Sequence, residues 1–421
     1  LFSDIIIVKN FDYKKFVNNF DKNIIVMRNI VGSPARGNNF FRRDAEIRKI
    51  IDRIENGHNL QLIAPRRIGK TSILFHLLDQ KVEGYAYVYL DTERIDNEED
   101  FYKKIIKELC KVEEISISKR LFQRFREEAR FLNRLKSIKI LGNEIAFNEE
   151  NLDLNYYEEI KNFLSGIELE ENMQLVLLID EFPQTVVNIL EADHGETVNA
   201  IKFLQSNREL RQDPEVNRNV RFIYTGSIGL TQTVSNIQAS AFINDINVVE
   251  IAPFNFEEGV EFLDRLSEPK GLKIPKEAAL YLLKKIAWII PFHIQLAMQE
   301  IISLSSNTRA IDQDLIDEAF NNIVEYRNRS HFEHYYSHLK KEFKGISFEF
   351  ADKALKQIAK QGKLDRTVLY DMGTGFGIKE NYRSIIDTLC YEGYINNNGN
   401  HQFYQFNSPI VRMWWQKHIC E

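Results

Sequence analysis

Short apolar runs of strand length alternate with longer stretches whose apolar residues recur at helical spacing. "NLQLIA", "YAYVYLD", "QLVLLID", "VRFIYT" and "INVVEI" read as five strands, each a near-continuous hydrophobic run of the kind a sheet buries on both faces. Between them the period changes to that of a helix. In "FFRRDAEIRKIIDRIENG" the residues Ile47, Ile50, Ile51 and Ile54 lie on one face, and Gly57 stops the helix. Strand–helix alternation of this kind predicts an α/β fold with a mostly parallel sheet covered by helices. After Pro253 the strand pattern stops, and helical patterns run from Phe256 to about Tyr326 through Pro269, Pro275 and Pro291.

Two stretches interrupt the alternation. "KRLFQRFREEARFLNRLK", Lys119 to Lys136, predicts an amphipathic basic helix, and "SIKILGNEIAFN" predicts a hairpin turning at Gly142-Asn143. The C-terminal stretch predicts helices followed by strand–turn–strand. Its third helix is expected at about Lys379 to Glu392 and its turn at Asn397-Asn398-Gly399. The resulting division is an approach segment at 1–40, a core at 41–253 with an insert at about 113–150, a helical region at 254–328 and a terminal unit at 329–421. A chain of 421 residues exceeds what one hydrophobic core usually serves, so several units are expected.

The chemistry concentrates at two strand ends. Ala64-Pro65-Arg66-Arg67-Ile68-Gly69-Lys70-Thr71, with Ser72 following, fits the phosphate-loop pattern with alanine in place of the first glycine. A tight loop between strand and helix aims backbone N–H groups inward, and the helix N-terminus adds its positive dipole end. Gly69 lets the backbone approach the phosphates, Lys70 is expected on the β/γ-phosphates, and Thr71 on Mg²⁺. Arg66 and Arg67 are not needed for the cradle. They could add field to an anionic site, pin the loop against an acid, face a neighbouring subunit, or be solvated. The strand "LVLLIDEF" ends in Asp180-Glu181, a Walker B pattern in which Asp180 joins Thr71 at the Mg²⁺ and Glu181 orients or deprotonates the attacking water. The strand ending Thr225-Gly226-Ser227 is expected to bring a small hydroxyl, Ser227 or Thr225, near the γ-phosphate.

In this order "FFRRDAEI", "APRRIGKTS", "LLIDEF", "VRFIYTGSIG", "NDINVVEIAPF" and "PFHIQ" resemble the archaeal-type P-loop ATPases of prokaryotes. These are relatives of the STAND signalling ATPases and of the origin-recognition ATPases within the wider AAA+ group. The resemblance implies an ASCE-type P-loop core, a helical lid over 254–328 and a C-terminal winged helix over 329–421. It also implies ATP as ligand and Pro291 packed against the adenine. Such proteins act as nucleotide-driven switches or DNA-associated ATPases, often linked to defence or mobile elements. Two positions depart from the pattern: Arg42 stands where the family usually has glycine, and Ile289 where related lids often do.

Composition adjusts the picture at its edges. A formal charge of −6 excludes wholesale electrostatic binding of nucleic acid or anionic membrane, leaving only local basic surfaces for a nucleic-acid or protein partner. The Lys119–Lys136 helix is the densest of these. The terminal unit is weaker, because Lys379 and Arg383 face Glu380, Asp387 and Glu392 in sequence. Cys110, Cys390 and Cys420 lack metal-ligand spacing and suit a reducing cytosol, so a cytoplasmic protein is expected. No apolar run approaches the roughly 20 residues a membrane span needs. His331, His334 and His338 share a helical face and would be a metal candidate only with further ligands. Arg208 and Arg211 are candidate fingers on a neighbour's γ-phosphate if subunits of a homo-oligomer pack side by side, against the plainer reading of salt-bridging surface arginines. "GTGFG", Gly373 to Gly377, has no strand before it and reads as a loop between helices.

Overall fold

The five apolar runs form one parallel sheet: β1 (Asn59–Ile63), β2 (Tyr85–Asp91), β3 (Gln174–Asp180), β4 (Val220–Tyr224) and β5 (Ile246–Glu250). Their order is β2-β3-β4-β1-β5, and every pairing is parallel. The structure, a computed structural model, describes residues 27–80, 82–109, 111–112, 155–167, 169, 173–305, 310–400 and 402–420. The basic helix and hairpin expected between Lys119 and Asn148 lie outside the described residues, as does Cys110.

Alternation along each strand divides the interior in two. On β3, Val176 and Leu178 enter one core, while Leu175, Leu177 and Ile179 enter the other. The second core is closed by helices Glu98–Leu109, Tyr156–Ser165, Phe182–Ala192 and Val198–Gln212. The first is closed by Asp44–Glu55 and Lys70–Gln80, and it continues without a break through the helices from Phe256 to Ile323. It ends among the C-terminal residues, where Trp414 and Trp415 are fully buried. No helix among the described residues is long and apolar enough to cross a membrane.

The C-terminal stretch carries a second, antiparallel sheet in the order β6-β8-β7, from β6 (Lys363–Asp365), β7 (Ile395–Asn396) and β8 (Phe403–Phe406). The turn between β7 and β8 falls at Asn397–Gly399 as expected, with Asn398 at φ 48° and Gly399 at φ 70°. The helix before it runs Tyr382–Tyr391, three residues shorter at its start than the spacing suggested. "GTGFG" also differs from expectation. Gly373 and Gly375 lie in the last turn of the helix Arg366–Gly375, and the chain leaves the helix only at Phe376 and Gly377. Glycine lowers helix propensity without forbidding a terminal turn.

Candidate nucleotide site

β1 delivers the chain into the loop Ala64–Gly69, which turns directly into the helix Lys70–Gln80. Gly69 sits at φ 104°, outside the region an L side chain readily adopts. Ile68 is 1% exposed and nails the loop into the first core. From the segment before the first helix, Arg43 reaches under the loop. It donates to Ile68 O at 3.2 Å and Ala252 O at 2.8 Å, and its guanidinium lies over the Phe254 ring. Burial pushes the Arg43 pKa below its ordinary value, and nearby Glu46 partly opposes this. In the sequence Arg43 belongs to neither the phosphate-loop nor the Walker B pattern. An arginine beside a run of aromatics was its single signal.

Lys70 folds back along the loop, donating to Ala64 O at 2.7 Å and Pro65 O at 3.2 Å. Burial lowers its pKa to about 8, although Glu181, Glu392 and Asp180 pull the other way. Thr71 Oγ1 donates to Asp180 Oδ2 at 2.7 Å, and Tyr89 OH donates to the same oxygen at 3.2 Å. Burial raises the Asp180 pKa to about 6 against the stabilising bond from Thr71. The next residue, Glu181, takes a left-handed backbone, φ 59°, at the start of the helix Phe182–Ala192. A bulky residue held there marks a surrounding that over-determines it. Its Oε2 accepts from both Ser227 N and Ser227 Oγ at 2.8 Å.

Thr225 and Ser227 part where β4 ends. Thr225 still donates to Ile179 O and accepts from Phe182 N, so it remains in the sheet layer and is 1% exposed. The chain turns at Gly226, and Ser227 faces the cavity. The paired arginines are half-buried and each has partners. Arg66 donates to Ser227 Oγ at 3.1 Å and Ser227 O at 3.3 Å. Arg67, itself left-handed at φ 67°, donates to Gly32 O and lies 4.8 Å from the centre of the Phe292 ring.

Arg66, Arg67, Lys70, Thr71, Glu181 and Ser227 line a cavity of about 370 Å³. Its walls come from sequence-distant segments: the loop residues Arg66–Ser72, Gly32 to Phe41, Pro291 to Gln295, and His334. The stretch at 27–43 is thus more than an approach to the core. Ala35 N donates to Ser72 Oγ at 2.9 Å, Asn29 Nδ2 donates to Gln295 O at 2.9 Å, and Phe40 stacks on His76. Pro291 occupies the first position of the helix Pro291–Leu304 and also lines the cavity.

The three histidines part company. His338 Nε2 lies 2.9 Å from Glu392 Oε2, and His331 packs edge-on to Phe292. His334 faces the cavity with neither ring nitrogen hydrogen-bonded. Burial, with the charges of Arg67 and Arg66, drives its pKa down to about 3. Among the described residues no group of three or more His, Cys, Asp or Glu is arranged to hold a metal. Arg211 is unavailable as a finger. It is 2% exposed and makes a two-pronged ion pair with Asp245 at 2.8 and 2.9 Å, which also corrects its reading as a surface residue.

No protein-family model and no curated protein matches this chain. Among solved structures the fold is similar to a Walker-type ATPase of Pyrococcus abyssi, at 19% identity and a TM-score of 0.61 over 93% of this chain and 99% of that one. It is also similar to the ORC2 protein of Aeropyrum pernix in its ADPNP–ADP complexes, at 12% identity and a TM-score of 0.50 over 94% and 96% of the two chains. At such identities the likeness is one of fold. The chain has the α/β fold of the AAA+-like P-loop ATPases, with its strand–loop–helix turn opening on the cavity described above.

Proposed function

We propose that this chain binds and hydrolyses ATP and acts as a nucleotide-driven conformational switch. The observation that carries the proposal is that loop residues Arg66–Ser72 and the Glu181–Ser227 pair line one cavity, with Asp180 bonded to Thr71 at its edge. Backbone N–H groups of the loop and Lys70 take the phosphates. The sequence lacks an Asn-Lys-x-Asp guanine signature. The two similar structures are an ATPase and a protein complexed with adenine nucleotides, which supports ATP.

The Thr71 hydroxyl and Asp180 carboxylate, 2.7 Å apart and both oxygen donors, fit Mg²⁺, a hard ion that also takes phosphate and water. When bound, that ion neutralises charge developing on the transferred phosphoryl group. Ser227 occupies Oε2 of Glu181 with two donors, which leaves Oε1 for the attacking water. Pro291 and Phe292 form the wall suited to the base, and Arg67 ties that wall to the loop.

In this reading Phe256–Ile323 is the lid, and Gly345–His418 with its β6-β8-β7 sheet is a winged helix. Both contribute to or rest against the site, so a ligand that prefers one arrangement of them shifts the balance between arrangements. Glu181→Gln tests the chemistry. The variant should keep ATP bound yet turn it over about 10²-fold more slowly, the scale of losing a general base. Wild-type turnover no faster than the variant's would make the nucleotide structural and the chain a binding module.

A further inference from the structure

The turn after β4 is held from both sides. On the ATPase side Glu181 Oε2 accepts from Ser227 N and Oγ, and Arg66 donates to Ser227 O and Oγ. On the other side Gly229 N donates to Glu392 Oε1 at 3.3 Å. Glu392 is the residue that ends the helix Tyr382–Tyr391, 163 positions further along the chain, and it is 6% exposed. Its second oxygen meets buried His338 on the helix Glu333–Glu342.

The neighbours of Glu392 close the same joint. A Cβ on Gly229 would come 2.0 Å from Tyr391 Cε1, and one on Gly393 would come 2.8 Å from Pro65 Cβ in the phosphate loop. The C-terminal unit is therefore seated on the loop and the turn with no room to spare.

Burying a carboxylate is costly unless its oxygens find donors. Here they find a backbone N–H of the ATPase turn and an imidazole of their own unit, where packing alone could have used an apolar side chain. Glu392 lines a small hollow behind the loop with Pro65, Ser227 and Gly229, and it does not line the nucleotide cavity.

We propose that Glu392 is a positioning residue for hydrolysis: by holding Gly229 N–H it fixes the Gly226–Gly229 turn, so that Ser227 keeps both donors on Glu181. The proposal rests on the reading of Glu181 as the group that acts on water. Two bonds to one carboxylate oxygen define where the other points, and a displacement of about 1 Å at such a site can cost 10²-fold in rate. The seating of the C-terminal unit thus governs turnover and leaves nucleotide affinity to the loop.

The test measures kcat for Mg-ATP turnover and, separately, nucleotide affinity in full-length variants. Glu392→Ala should lower kcat about ten-fold or more, the scale of one charge-assisted hydrogen bond, with a much smaller change in affinity, the part that reaches Lys70 through the lost Glu392 charge. Gly229→Ala, which drives a Cβ into Tyr391, should give the same split from the opposite side of the joint. Glu392→Gln keeps an acceptor for Gly229 and should retain more turnover than Glu392→Ala.

In a Glu181→Ala background, with no carboxylate left to position, Glu392→Ala should lower residual turnover no further. An equal loss in both backgrounds, a parallel loss of affinity, an unchanged kcat or a raised one would each overturn the positioning role. Wild-type turnover no faster than that of Glu181→Ala would instead overturn the ATPase reading, and the proposal with it.

Discussion

Lys70 and Asp180 are ionisable groups removed from water, and burial moves their pKa values toward one another. Lys70 comes down to about 8 and Asp180 goes up to about 6. Below about pH 6 the free protein carries a protonated Asp180, which is a poor metal ligand; above about pH 8 it carries a neutral Lys70, a poor phosphate ligand. Mg-ATP affinity should therefore be greatest between these values. It should fall by about ten-fold per pH unit beyond either, once the nucleotide's own titration is subtracted. Calorimetry in buffers of different ionisation enthalpy should show a proton released on binding below pH 6 and one taken up above pH 8. Lys70→Ala should abolish most of the roughly 2.7 kcal/mol of stabilisation that ligand at 100 times its Kd confers. A variant with an unchanged thermal shift would remove Lys70 from the site. At this scale the strand-end acids and the loop were legible, because each sits at a fixed offset from an apolar run. The partner of Glu181 was not legible, because it depends on where β4 stops bonding to β3.

The helix Val198–Gln212 shows what an element's pattern does and does not reveal. Its sequence displays arginines at positions that suit a solvated face, yet Arg211 is buried beside Tyr224 and paired with Asp245 at the start of β5. Attraction to Asp245 and Tyr224 holds its pKa above the ordinary value despite the burial that lowers it. Asp245→Ala strips the charge from that pair and leaves a buried guanidinium with Phe242 O as its main remaining acceptor. A loss of about 3–5 kcal/mol is expected, read from the urea midpoint at constant slope. A loss below about 1 kcal/mol, the range of exposed pairs, would mean that water reaches the site. Helix period reports which residues share a face. Whether a facing strand supplies an acid for that face is a matter of assembly.

Across the whole molecule, the cavity exists only because segments far apart in sequence meet there. Gly32 to Phe41, the loop, Pro291 to Gln295 and His334 line it together. Binding of nucleotide should slow amide exchange in all four at once, since each orders against the same ligand. Protection confined to 64–72 would show that the other walls do not close on the ligand. The continuous core from the sheet to Trp414 and Trp415 gives the reason to expect linkage, because elements packed into one core move together or not at all.

Residue order by itself determined the five buried strands, their parallel class, the phosphate-type loop and the acids at the end of β3, since period and offset are local properties of a chain. It also placed the turn at Asn397–Gly399. Tertiary structure alone decided that Ser227 holds Glu181, that Arg66 and Arg67 grip the turn and the Phe292 wall, and that Glu392 reaches Gly229. Each of those contacts joins residues more than 40 positions apart. Their meeting depends on strand order and on how the C-terminal unit seats, and no local pattern of hydrophobic and polar positions encodes either.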